Sequence, residues 1–73
     1  MMSYELLEAF LDTAISDNII LGKQIIHHAF FNLPQDFVED VFLYALNETP
    51  YEAFSTEIKV YYLWLKKLYP RGF

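Results

Sequence analysis

No cysteine occurs in this chain. Disulfide staples and thiolate metal sites are therefore excluded together, and a reducing, intracellular setting, the cytoplasm, is the compartment expected. Only two glycines are present, so no glycine-rich loop can cradle a phosphate. Long apolar stretches are missing too. The longest, 41–46 and 60–65, hold six residues each, against the ~18 that a membrane span needs. The opening "MMSYELLEAF" has acids at Glu5 and Glu8 and no basic stretch, and is not read as a signal peptide. Bases are scarce. Five Lys and Arg face ten acids, for a net charge of −5. That balance argues against direct nucleic-acid binding, which calls for a basic domain.

Aromatic side chains are abundant instead: seven Phe, six Tyr and one Trp in 73 residues. Each buries ~150–250 Å² when fully covered. A chain this short buries only ~60% of the surface its unfolded form exposes. Such a surplus points to a partner protein or to a homodimer. The charge is also unevenly placed. Residues 1–57 hold all ten acids and one base, Lys23, whereas 58–73 hold Lys59, Lys66, Lys67, Arg71 and no acid. Asymmetry of this kind bears on partners rather than on fold.

Hydrophobic periodicity is helical along most of the chain. Ser3 can cap a first helix over roughly 3–16, with Leu7, Phe10, Leu11, Ala14 and Ile15 on one face and Glu5, Glu8, Asp12 and Ser16 on the other. "SDN" at 16–18 offers a stop or a new cap. Ile25, Ile26, Ala29, Phe30 and Leu33 mark a second helix. Gly22 weakens its start, because glycine costs ~1 kcal/mol against alanine in a helix interior, and periodicity leaves 19–22 open between helix, loop and strand. Pro34 ends that helix and can open a third over about 34–47. There Phe37, Val38, Val41, Phe42, Ala45 and Leu46 form an apolar face and Asp36, Glu39 and Asp40 an acidic one. Thr49 and Glu52 have capping-box spacing with Pro50 between them, which predicts a short helical turn. Ser55 or Thr56 can cap a last helix over about 56–69, ended by Pro70 and Gly72. The expected architecture is all-α: one compact domain, 1–73, of four helices, or five if the turn near Tyr51 is counted, with short loops.

Chemistry-bearing motifs are weak. His27 and His28 are adjacent and point about 100° apart on a helix, so they do not share one ion. The expected state is one ring partly buried and one on the surface. Asp36, Glu39 and Asp40 read as a solvated face rather than a pair of tuned acids. Ser3, Ser16 and Ser55 have no activating neighbour in sequence. The chain is accordingly expected not to be an enzyme and to need no metal or cofactor.

On the last helix Ile58, Tyr61, Tyr62, Leu65, Leu68 and Tyr69 share a core-facing stripe. Val60, Leu63, Trp64 and Lys67 point elsewhere, and a solvated face has no physical need of Leu63 and Trp64. The expected function is a protein-interaction module, a regulator or inhibitor of a larger partner. It would act through an aromatic–aliphatic patch of Val60, Leu63, Trp64 and Lys67, joined by Phe31 and Tyr44, with self-association as a homodimer. Two alternatives stand beside it. Glu5, Glu8, Asp12, Asp36, Glu39 and Asp40 could mimic a phosphate backbone and block a DNA- or RNA-binding enzyme, as a host-defence antagonist would. The basic aromatic last helix could instead lie on a membrane surface, although the acidic remainder would be repelled by anionic lipid.

Overall fold

Apolar residues that recur every three or four positions need a shared interior, and four helices provide one. The computed structural model describes residues 3–70. The helices are α1 (Ser3–Ser16), α2 (Ile19–Asn32), α3 (35–46) and α4 (Glu52–Leu68), with no strand among the described residues. The radius of gyration is 11.0 Å, about the 11 Å expected of a compact chain this long. No helix of the described residues is long and apolar enough to cross a membrane.

α2 lies at the centre of the packing, against α1 on one side and α4 on the other. Phe10 of α1 closes the interior, its ring 5.4 Å from Phe42 of α3 and 6.0 Å from Phe54 of α4. The core-facing stripe of α1 is rotated from the one periodicity suggests. Leu6 packs on the core and Thr13 is buried, while Ile15 is exposed. Thr13 tolerates burial because its hydroxyl donates to the Phe10 carbonyl at 2.7 Å. The proposed capping by Ser3 concerns a side chain outside the described set.

"SDN" is both stop and cap. Asp17 adopts φ 59°, and the Asn18 and Asp17 amides donate back to the Thr13 and Ala14 carbonyls at 2.8 and 3.4 Å. These are the paired bonds of a Schellman closure, with aspartate where glycine is usual. Asn18 Oδ1 then accepts from the Leu21 amide and starts α2. Residues 19–22 are thus helical, and Gly22 has a positive reason to be there. A Cβ on it would lie 2.6 Å from the Phe54 ring and 3.1 Å from Ile58. Its bare backbone lets α4 approach α2.

Pro34, extended at φ −57° and ψ 140°, precedes α3 rather than opening its first turn. The middle of α3, Val38–Phe42, is a π-helical segment in which the Leu43 amide donates to the Val38 carbonyl. The wider turn keeps Val38, Phe42 and Leu46 all buried.

α4 differs most from expectation. It is one continuous helix from Glu52, with no separate turn before it, so the described residues form four helices. The Thr49 capping box does not form. Tyr51 occupies the cap position without a side-chain bond. Ser55 caps the previous helix instead, its hydroxyl donating to the Leu46 carbonyl at 2.7 Å with the Thr49 hydroxyl 2.9 Å away. Phe54 thereby joins the core with Ile58, Tyr62 and Leu65. Leu68 and Tyr69, expected on that face, remain substantially exposed at the helix end.

Candidate interaction surface

Because the core claims Phe54, Ile58, Tyr62 and Leu65, the side chains midway between them must face outward. Val60 is 58% exposed, Leu63 62% and Trp64 52%. Lys67 is exposed beside them and makes no salt bridge among the described residues. These four sequence-predicted residues are brought together on one helix face, and no other described part of the chain covers it.

Trp64 is not isolated. Its ring stacks on Tyr61, centroids 5.7 Å apart and 27° between planes. The Tyr61 hydroxyl shares a 2.9 Å hydrogen bond with His27 Nδ1. His27 lies 4.9 Å from the ring of Phe31, which meets Tyr69 edge-on at 5.0 Å. Lys23 Nζ sits 5.7 Å from the Tyr61 ring centre and 3.8 Å from Glu57. An open groove of about 660 Å³ runs between α2 and α4 along this strip. Phe31 therefore belongs with Trp64, through Tyr61 and His27. Tyr44 does not. It lies on α3 in a shallow groove with Lys59, on the opposite flank of α4.

Sequence reasoning missed His27 and Tyr61 as members of this strip. The signal was present in α2, where Lys23, His27 and Phe31 recur every four residues as one stripe. Both histidine rings are exposed, so the expectation of one partly buried ring is corrected. His27 is held by contacts across the helix–helix groove rather than by burial.

The acidic residues separate into two kinds. Glu5, Glu8, Asp12, Asp36 and Asp40 are exposed. Glu39 is engaged. Its Oε2 accepts from Tyr62 at 2.9 Å, from Lys66 at 2.9 Å and from Gln35 at 3.3 Å. The Lys66 bond, followed by those from Gln35 and Tyr62, holds its carboxyl below the ordinary carboxylate range, against a smaller opposing effect of burial. Burial first, and the Glu39 carboxylate second, push the Tyr62 hydroxyl well above its usual value, so it stays a donor. Lys66 is thus tied to α3, and the basic group at Arg71 lies outside the described residues. Every buried side-chain polar atom described has a hydrogen-bond partner. No group of three His, Asp or Glu among the described residues is placed to hold a metal ion.

Comparison of the chain with protein-family models, with curated proteins and with solved structures found no match.

Proposed function

We propose that this chain is a non-enzymatic protein-interaction module, a regulator or inhibitor of a larger partner, that works by burying the outer face of α4. One observation carries the reading. Three large apolar side chains, Val60, Leu63 and Trp64, share a helix face at half or greater exposure, on a chain that buries Phe10, Phe42 and Phe54 completely. Contiguous exposed apolar surface of this kind marks a contact site. Tryptophan at its centre supplies the large contact area that dominates binding energy, and Lys67 at its edge gives electrostatic selectivity. The engagement of Glu39 by Lys66 weakens the rival reading of a phosphate-mimicking acidic surface, since one of its six carboxylates is already neutralised in place.

The absence of cysteine makes a clean test available. Thr56→Cys, exposed one turn before Val60, carries an environment-sensitive dye into extract of the producing cells. The dye emission should shift to the blue. Excess unlabelled wild type should reverse the shift, and excess Trp64→Ala should not. Equal competition by the two chains, or no shift at all, removes the proposal.

A further inference from the structure

We infer that the outer face of α4 is covered by a second copy of this chain, with the two α4 helices antiparallel. The inference rests on the interaction face proposed above and names its occupant. Along that face Ala53, Glu57, Val60, Trp64 and Lys67 follow alternating steps of four and three residues, the spacing of a coiled-coil seam. All five are exposed. The seam is apolar in its middle, acidic toward the start of the helix and basic toward its end.

Such a stripe is self-complementary in one orientation only. A two-fold axis at the level of Tyr62 places Val60 of one copy against Trp64 of the other, since each lies two residues from that level. The same axis places Glu57 against Lys67, each five residues away. Both contacts occur twice, as a two-fold interface requires. The large indole then meets the small valine, and each carboxylate meets an ammonium. A parallel pairing would instead set Glu57 on Glu57 and Lys67 on Lys67 at the same heights, which is repulsive. Lys66 and Lys59 do not compete for this role, because they are bonded to Glu39 and Asn47 on the flank facing α3. Among the described residues, Glu57 has only the long 3.8 Å approach of Lys23.

The test is light scattering of the purified chain from about 1 µM to about 1 mM, the range in which an interface of one helix pair associates. The wild type should pass from monomer to dimer. Trp64→Ala should weaken the dimer by about 30-fold, as loss of a central aromatic anchor does. Lys67→Glu should weaken it by about tenfold, because symmetry doubles the loss of one exposed pair. Combining it with Glu57→Lys should restore association. Circular dichroism checks that each variant stays helical.

Orientation is read by disulfide coupling in the cysteine-free background. Two copies of residue 63 lie within about 3 Å of one level in the antiparallel pair, and two copies of residue 67 about 15 Å apart. Leu63→Cys should couple to itself. Lys67→Cys should couple to Glu57→Cys and not to itself. Self-coupling of Lys67→Cys, or a dimer indifferent to Lys67→Glu alone, overturns the antiparallel arrangement. A wild type that stays monomeric overturns the second copy altogether. If the dye on Thr56→Cys still shifts in extract in that case, the interaction face stands with a different protein on it. If it does not, both readings fail.

Discussion

On the flank of α4 that meets α3, Lys66 and Tyr62 converge on Glu39, and Lys59 reaches Asn47. On the outer flank Val60, Leu63 and Trp64 are left half or more exposed. The two flanks belong to the same 17-residue helix and differ in residue type, polar on the inner side and apolar on the outer. What also separates them is completion. The inner flank spends its polar groups on bonds that tie α4 to Glu39 and Asn47. The outer flank carries apolar area that no other described residue covers. A small domain cannot wrap both sides of every helix, because its surface is too large relative to its volume. Part of the aromatic surplus in the sequence therefore emerges on this strip, at Trp64 and Tyr69, while Tyr4, Tyr44 and Tyr51 are exposed elsewhere.

The largest effect that would break this comparison is on the buried side. Ile58→Ala, at a fully buried position, should destabilise the fold by about 2–5 kcal/mol through lost burial and an unfilled cavity. Leu63→Ala, one face away, should change stability by less than about 0.5 kcal/mol when measured on dilute protein. Urea denaturation of both variants checks this. Equal losses would mean that Leu63 is packed within the chain and that the outer flank is not free.

Gly22→Ala comes next. Alanine is the better helix former by about 1 kcal/mol, so a surface-like site would be stabilised. Here the added Cβ meets the Phe54 ring at 2.6 Å. That ring cannot swing away, because it is buried against Phe10. The expected result is a net loss of about 1–3 kcal/mol from overpacking. A gain would show that α4 can shift away from α2 at little cost.

Gly22 also shows what could and could not be read from the residues. The number and type of helices follow from hydrophobic periodicity, and the exposed residues of α4 follow from the same periodicity once its core stripe is recognised. Long-range fits are another matter. Propensity counts a glycine as a weakness, and only the opposing helix explains it. The Thr49–Glu52 spacing has the form of a capping box, yet Ser55 is drawn to the Leu46 carbonyl across the loop, and α4 begins earlier than local rules say. Glu39 looks like its neighbours Asp36 and Asp40. Its difference comes from Tyr62 and Lys66, more than twenty positions along the chain. Of the strip, the α2 stripe of Lys23, His27 and Phe31 was legible, whereas its meeting with Tyr61 is a contact between two helices and not a pattern in either.

A smaller effect sharpens the inner flank. Glu39→Leu removes the acceptor from the buried Tyr62 hydroxyl and should cost about 1–2 kcal/mol. The pH dependence follows from the lowered pKa of Glu39. Its stabilising contribution is present above the unfolded-state value of about 4.3, and is lost as pH falls through the lower folded-state value. Wild-type stability should therefore decline in that acid window, and the curve of Glu39→Leu should be flatter there. Parallel curves from thermal melts across the window would assign the acid sensitivity to other carboxylates.

The smallest effect lies in the turn between α1 and α2 and tests whether the outer strip changes association alone. Asp17 holds a left-handed backbone, φ 59°, at the position of the Schellman closure where glycine has no Cβ to crowd the following carbonyl. Asp17→Gly should raise stability by about 0.5–1 kcal/mol, even though glycine also loosens the unfolded chain. The bonds from Asn18 and Asp17 to Thr13 and Ala14 need only the backbone, so they survive the change. Self-association should be the same in Asp17→Gly as in wild type at equal folded concentration, since the site is remote from α4 in sequence and alters no residue of its outer face. A stabilised fold with unchanged association would separate the two properties, stability being set by the core and the closures between helices, and association by the exposed stripe on α4. If association moved with stability, the face would depend on how firmly the bundle holds α4, and the difference between the two flanks would be one of rigidity as well as of composition.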